Sequence, residues 1–153
     1  MAANVTYSFQ DVVAQFIGPT GTFALGTDAG AAEEGITISM ADDKSTMTIG
    51  AGGDGMHSLH AGKSGTVSVK LLKTSPTNAK LSLAYNLQTA SSSLFGQNAI
   101  LIRNPQTGDV ISCRQAAFKK LPDNVNAKDG GSNEWVFNAI LIDQLLGSGA
   151  PAL

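Results

Sequence analysis

Charged side chains are scarce in this chain of 153 residues, at 14% of the total against about 25% in a typical soluble domain. A surface with few charges is poorly protected against association, which favours an oligomer over a solitary β-protein. The net charge is only −2, whereas a nucleic-acid-binding protein usually presents a basic face. Composition therefore argues against specific nucleic-acid binding and in favour of self-association.

The few charges are distributed unevenly along the chain. Residues 1–62 carry a net charge of −6, and residues 63–153 carry a net charge of +4. Such asymmetry helps identical subunits to meet through unlike surfaces, but it can also arise by chance, and both interpretations stay open.

Cysteine and long apolar runs are also nearly absent. Cys113 is the single cysteine, which excludes an intramolecular disulfide and fits a reducing compartment. Residues 1–6 do not have the pattern of a signal peptide, and no stretch approaches the ~18 apolar residues of a membrane span. We therefore expect synthesis in the cytoplasm and no membrane insertion by this chain.

Short motifs for nucleotide, phosphate and metal binding occur in the sequence, but the residues around them do not support those functions. Residues 50–55 match G-x-G-x-x-G, and residues 62–64 resemble the end of a phosphate-binding loop, but neither is followed by a predicted helix. His57 and His60 have too few neighbouring donors for a zinc site, and Cys113 lies in a strand pattern typical of a buried thiol. We expect no catalytic, cofactor or metal site, and hence no enzyme.

The dominant pattern in the first part of the chain is the two-residue period of β-strands. Residues 5–17 predict a long strand with a bulge near Asp11 and with one set of residues on a common face, namely Tyr7, Phe9, Val13 and Ile17. Residues 18–21 predict a turn, residues 22–26 a short partner strand, and residues 27–34 an acidic loop.

The next segment predicts a hairpin followed by a loop. Residues 36–40 and 46–49 alternate between apolar and hydroxyl side chains, with the charged residues 41–45 between them as the tip. Residues 50–65 are rich in glycine and predict an extended loop. Residues 67–71 alternate again and predict a further strand.

One helix is predicted over about residues 76–90. Ser75 is a good N-cap, Pro76 suits the first helical position, and an apolar stripe contains Ala79, Leu83 and Leu87, with Ala84 offset. Strands are predicted over residues 98–104, 109–119 and 135–146, and the last has apolar residues on both faces. The prediction is a mainly β fold, an antiparallel β-sandwich or barrel with one flanking α-helix, in a single domain over residues 1–153 with flexible termini.

Several strings of the chain, in this order and spacing, resemble a known family. They are the segments at residues 32–38, 43–50, 55–61, 71–76, 114–120 and 133–137, whose sequences are AEEGITI, DKSTMTIG, GMHSLHA, LLKTSP, RQAAFKK and NEWVF. Each string is ordinary alone, and together they cover essentially the whole chain. The chain is similar to the tail tube proteins of contractile-tailed bacteriophages.

The resemblance implies a tail tube fold, shared with the tubes of R-type pyocins and of type VI secretion. It implies six subunits in a ring, rings stacked into a hollow tube inside a contractile sheath, and double-stranded DNA passing through without specific binding. Implied partners are other copies of the chain and the sheath, baseplate and tail terminator proteins. The implied location is the virion tail, after assembly in the cytoplasm of the host bacterium.

The charged tip and the glycine-rich segment are candidate assembly contacts, because they could become ordered on assembly. The hydroxyl face is a candidate lumen wall, because a wall without basic side chains does not bind the phosphates of DNA tightly. The assembly candidates are Asp42, Asp43, Lys44, Gly50, Gly52, Gly53 and Gly55. The lumen candidates are Thr37, Ser39, Thr46 and Thr48. Alternative functions are the tube of a pyocin-like or type VI secretion device, or a β-sandwich module for capsid decoration or binding.

Overall fold

The structure, a computed structural model, describes residues 6–25 and 31–148, with the backbone alone for residues 31–34. Seven of its strands form one antiparallel sheet in the order β2-β1-β7-β8-β9-β6-β3, and β4 and β5 form a separate two-stranded sheet. The elements are a 3-10 turn (Phe9–Asp11), β1 (Val13–Gly18), β2 (Gly21–Ala24), β3 (Ala31–Met40), β4 (Ser45–Ile49), β5 (Gly55–Leu59), β6 (Gly65–Leu72), α1 (Thr77–Thr89), β7 (Asn98–Asn104), β8 (Asp109–Lys120) and β9 (Ser132–Leu145). The predicted mainly β fold with one flanking helix is confirmed.

The large sheet is rolled around its own core. Phe16 on β1 and Phe137 on β9 are separated by two intervening strands, a span of about 14 Å in a flat sheet. Their ring centroids are nevertheless 5.7 Å apart, and Phe118 on β8 contacts both rings. The inner face of the roll therefore holds the hydrophobic core, and the other face, called the outer face below, is turned away from it.

Helix α1 closes one end of the roll. Leu81 and Ala84 are buried against the core, and the ring of Tyr85 meets Phe118 edge-on with centroids 5.5 Å apart. Trp135 Nε1 also donates a hydrogen bond to Asn78 Oδ1 at 3.0 Å. The predicted helix bounds are correct to within one residue at each end.

A buried polar network fixes the C-terminal half of the helix. The Gln88 and Asn98 side chains exchange two hydrogen bonds, of 2.8 and 2.7 Å, and Gln88 Nε2 also lies 3.1 Å from Thr20 Oγ1. Both amide side chains are fully buried, where an unpaired polar group would be costly. The network therefore selects the face of α1 that turns inward.

Of the predicted apolar stripe of the helix, only Ala84 faces the core. Leu83 is 61% exposed, and Leu87 and Ala79 are exposed with it, while the inward residues are Thr77, Leu81, Ala84 and Gln88. The apolar stripe and the inward face differ because polar Gln88 is held in the core by Asn98.

The predicted long strand over residues 5–17 is shorter, because a 3-10 turn at Phe9–Asp11 takes the place of the predicted bulge and β1 begins at Val13. Within β1, Ala14 and Phe16 are buried, while Val13 and Ile17 are exposed on the other face. The partner strand ends at Ala24, and β3 begins at Ala31, inside the predicted acidic loop. Residues 1–5, 26–30 and 149–153, which include the predicted flexible termini, lie outside the described residues.

The predicted hairpin between residues 36–40 and 46–49 does not form. Strand β3 pairs with β6, with Ile38 opposite Val67 and Met40 opposite Gly65. Strand β4 pairs with β5 instead. Alternation identifies strands but does not say which strands pair, and residues 41–44 are a corner where the chain leaves the large sheet.

The glycine-rich segment is likewise not one extended loop. Residues 50–54 form a tight turn in which Gly50 N–H donates to Asp54 O at 2.7 Å and Gly53 has a φ of +91°, a left-handed conformation that suits glycine. Strand β5 follows at once, and Gly65 already belongs to β6.

Candidate assembly surfaces

A hairpin that stands away from the rolled sheet is the most exposed part of the described chain. We call residues 41–62, which contain β4 and β5, the arm. Every residue of the arm is exposed except Ser58, which is half-buried. At its root, Ala41 N–H donates to Ser64 O at 3.0 Å and His60 N–H donates to Lys44 O at 2.8 Å.

The two faces of the arm differ in chemistry. Residues opposite each other in an antiparallel pair share a face, and the register puts Met47, Ile49 and Leu59 on one side and Thr46, Thr48 and Ser58 on the other. Leu59 is 81% exposed, and Met47 and Ile49 are more than half exposed. An isolated two-stranded hairpin is at best marginally stable in water, so this apolar face needs a cover from outside the chain's own core.

The candidate assembly residues all belong to the arm but lie at its two ends. The four glycines, Gly50, Gly52, Gly53 and Gly55, form or flank the turn at the tip. Asp42, Asp43 and Lys44 lie at the root, and they are not the tip of a hairpin as the sequence predicted. Their role in assembly stays a prediction.

The candidate lumen residues are divided between two surfaces. Thr37 and Ser39 on β3 lie opposite Ser68 and Thr66 on β6, which makes a hydroxyl patch on the outer face of the large sheet. Thr46 and Thr48 lie on the arm, in a different sheet. The four residues therefore do not share one face, and their place in a lumen wall stays a prediction.

Ion pairs on the outer face were not found from the sequence, because their partners are distant along the chain. Asp143 on β9 accepts hydrogen bonds from Lys63 Nζ at 3.3 Å and from Arg114 Nη2 at 2.6 Å. The hydrogen bond and charge of Lys63, and then those of Arg114, hold the pKa of the Asp143 carboxyl below its usual value. A second pair joins Lys70 Nζ and Glu134 Oε2 at 3.7 Å.

Large apolar side chains also lie on the outer face. Ile140 on β9 is 60% exposed, and Val13 and Ile17 on β1 are exposed on the same side of the sheet. The sequence predicted apolar residues on both faces of the last strand, and the structure buries one face, with Trp135 and Phe137, while leaving Ile140 uncovered.

The rolled sheet is open at the end opposite α1. This opening, called the mouth pocket, is a cavity of about 300 Å³ between the edge strand β3 and the β7–β8 hairpin. Phe9 lies over Gly35 on one side, where an added Cβ would be 3.2 Å from Phe9 Cε1, and Arg103 lies at the exposed rim. The walls are apolar and consist mainly of Val12, Ile36, Ile38, Ile102 and Ile111.

The residues that the sequence offered for catalysis, metal binding or nucleotide binding do not come together in one site of the described chain. Cys113 is buried on β8, as predicted, and burial raises the pKa of its thiol to about 11, which keeps it a neutral packing group. His57 and His60 are exposed on the arm, and residues 50–55 form its turn rather than the start of a helix. Within the described ranges, no three His, Cys, Asp or Glu side chains are grouped as metal ligands would be.

No helix in the described part of the chain is long and apolar enough to cross a membrane.

Solved structures of an anti-feeding prophage, an extracellular contractile injection system and a GTA tail contain chains with a similar fold. A subunit in the cryo-EM structure of the anti-feeding prophage cap superposes with a TM-score of 0.61 at 10% identity, covering 96% of this chain and 95% of that one. A subunit of the PVC sheath-tube complex in the extended state gives 0.57 at 9% identity, covering 88% of each chain. A subunit from the tail of an empty GTA particle gives 0.61 at 12% identity, covering 90% of this chain and 98% of that one.

The family model of the Bacteriophage PhiTE tail tube protein matches residues 4–147. The chain therefore belongs to this tail tube family and is a structural subunit of a phage tail tube. No curated protein sequence matches it.

Proposed function

We propose that six copies of this chain form a ring, and that the rings stack into a hollow tube which conducts double-stranded DNA inside a contractile sheath. The observation that carries the proposal is the arm, an exposed hairpin with one apolar face on a member of a tail tube family. A monomer gains nothing from such a hairpin, whereas an assembly covers it.

The open edges of the large sheet support a closed ring. Strands β2 and β3 are its edges, and uncovered edges are sites for pairing with another chain. Contacts between unlike edges of identical copies close into a ring when the rotation allows it. The number six has support from two assemblies with this fold, since the GTA tail has C6 symmetry and the anti-feeding prophage baseplate was six-fold symmetrised.

The hydroxyl patch of the outer face is the proposed lumen wall. Thr37 and Ser39 would continue into Thr66 and Ser68 there, and the nearby cations Lys63, Arg114 and Lys70 are each paired with a carboxylate. Tight DNA binding requires cations that neutralise phosphates. A wall whose cations are already paired would let DNA slide.

Replacing Asp143 by Asn is expected to make assembled tubes retain DNA, because Lys63 and Arg114 lose their shared carboxylate. Tubes formed in the presence of short linear duplexes should hold the DNA after washing at about 50 mM salt and release it by about 200 mM. Asp129→Asn, the same charge change in an exposed loop, is the matched control. Equal DNA retention by both variants would place Asp143 outside the lumen.

The remaining partners and the location complete the proposal. The sheath, the baseplate and the tail terminator would bind the tube, assembly would take place in the host cytoplasm, and the whole chain would act as one tube domain without catalytic activity. A tube in an injection device is the second candidate, because the fold is also that of chains in anti-feeding prophage and PVC assemblies.

Negative-stain electron microscopy of the purified protein over a concentration series tests the proposal. We expect six-fold rings or hollow tubes whose fraction rises with concentration. A protein that remains monomeric at every concentration, also when seeded with purified baseplates, would contradict it.

A further inference from the structure

The loop between β8 and β9, residues 121–131, is held to the rest of the chain by Lys73, the residue after β6. Lys73 Nζ donates hydrogen bonds to Val125 O and to Asn126 Oδ1, the second at 2.7 Å, and Lys73 N–H donates to Gly131 O at 3.0 Å. The loop is therefore fixed at two places, and residues 127–130, called the linking segment below, join them.

The linking segment contains an aspartate followed by a glycine, and neither residue is restrained. Asp129 and Gly130 are exposed and belong to no helix or strand. Within the described chain, neither the Asp129 carboxylate nor Gly130 N–H has a hydrogen-bond or ion-pair partner. A Cβ added at Gly130 would meet no atom within 4 Å, and glycine allows the widest range of backbone conformations, so the main chain has room to turn here.

We propose that Asp129-Gly130 is a site of spontaneous isoaspartate formation in the folded protein. In the first step, the Gly130 nitrogen bonds to Asp129 Cγ, and the amide hydrogen leaves with the hydroxyl of the protonated carboxyl group as one water molecule. The product is a five-membered succinimide ring. In the second step, water adds to the former main-chain carbonyl of Asp129 and breaks its bond to the Gly130 nitrogen. The main chain then runs through Cβ and Cγ, and the only reactant taken up is the water that the first step released.

The fold favours Asp129 over the other Asp-Gly pair, Asp54-Gly55 in the arm. Asp54 O accepts a hydrogen bond from Gly50 N–H at 2.7 Å, and Gly55 pairs with Ile49, so the main chain is held on both sides of the reacting peptide. Ring closure requires the side chain and the following nitrogen to turn towards each other, which such contacts oppose. The remaining aspartates of the described residues each precede a residue whose side chain hinders the attack, and they are Asp11, Asp42, Asp43, Asp109, Asp123 and Asp143.

The two anchors of the loop allow the conversion to take place without unfolding. Residues 127–130 include no buried side chain, and the hydrogen bonds of Lys73 hold the loop on either side of them. An added main-chain carbon in an exposed segment changes no contact of the core. Isoaspartate should therefore accumulate in protein that keeps its native stability.

Incubation of the purified full-length protein in water enriched in heavy oxygen tests the site, because opening of each succinimide adds one heavy oxygen atom. After digestion in ordinary water, mass spectrometry should find at least about fivefold more label at Asp129 than at Asp54, since only Asp129 has a free main chain on both sides. In concentrated urea the two sites should react at similar rates, because the contacts of the arm are lost.

Two neighbouring glycines provide a matched pair of variants. Gly130→Ala places a methyl group beside the attacking nitrogen and should slow labelling of Asp129 at least about fivefold, by reducing the conformational freedom of the main chain. Gly131→Ala makes the same change one residue later and should leave the rate unchanged. An added Cβ meets no atom within 4 Å at either position, so both variants should fold normally.

Absence of label at Asp129 in the native protein, or equal labelling of Asp129 and Asp54 there, would overturn the proposal. Equal rates in the two alanine variants would do the same. Urea unfolding should give the same midpoint for aged and fresh protein, and a lower midpoint after ageing would show that the conversion disturbs the fold. Tube assembly plays no part in this chemistry, so none of these results bears on the proposed function.

Discussion

Removing the outer part of the arm is expected to give a folded monomer that forms neither rings nor tubes. The backbone offers a clean excision, because His60 N–H donates to Lys44 O at 2.8 Å and a two-residue Asn-Gly turn can join these residues in place of β4, the tip and β5. The excised residues 45–59 include no buried side chain. The root, with Asp42, Asp43 and the Lys63–Asp143 ion pair, is retained.

The free energy of unfolding of this variant should stay within about 1 kcal/mol of the wild-type monomer, since no buried side chain is lost and the connection becomes shorter. Assembly should fail completely, because every copy in a ring lacks the same contact. Sedimentation velocity and negative-stain microscopy measure the loss, and urea unfolding measures the fold.

Deleting Lys128 and Asp129, two exposed residues of opposite charge in the loop before β9, is the control for the arm excision, and this variant should assemble normally. Normal tubes from the arm excision would show that the arm is dispensable, and the proposed function would then have to rest on the sheet edges alone.

Leu81→Ala and Leu83→Ala should differ sharply although the residues lie two positions apart on one helix. Leu81 is fully buried in the core, and truncation of such a side chain costs about 2–5 kcal/mol. Leu83 is 61% exposed, and its truncation should change the free energy of unfolding by less than about 0.5 kcal/mol.

The comparison is best made in the arm-excised background, because assembly would otherwise add to the apparent stability of both variants. Urea unfolding followed by tryptophan fluorescence reports the core directly, since Trp135 contacts Phe118 and bonds to Asn78 of α1. Equal losses at the two positions, or a larger loss at Leu83, would mean that α1 is rotated about its axis from the described orientation.

A substantial part of the fold could be predicted from local sequence. Strand β7 was predicted with its observed ends, α1 to within one residue at each end, and Cys113 as a buried thiol. These features depend on local signals: a two-residue alternation, a serine and proline before the helix, and turn residues between strands. The order of several ordinary strings also predicted the tail tube family.

The pairing of β3 with β6 rather than with β4, and the face of α1 that turns inward, were not predictable in the same way. Alternation in β3 fits either partner equally well, and the exposed stripe at Leu83 is as apolar as the buried residue Leu81. The choice depends on contacts between residues distant along the chain, such as the amide pair Gln88 and Asn98. Local propensity does not contain that information.

The candidate assembly surfaces also have some features that the sequence predicts and others that depend on the tertiary structure. The sequence by itself determined that residues 50–65 are rich in glycine and that residues 36–40 and 46–49 alternate between apolar and hydroxyl side chains, and it predicted assembly contacts at the charged residues 41–45 and in the glycine-rich segment. Only the tertiary structure decided that this segment is an arm with one apolar face, that Asp143 pairs with Lys63 and Arg114, and that the rolled sheet has an open apolar mouth. The physical reason is that the ion pairs join β8, β9 and the segment before β6, which only pairing between strands distant along the chain brings together. The pocket joins β3 to β7 and β8, which meet only when the sheet rolls around its aromatic core.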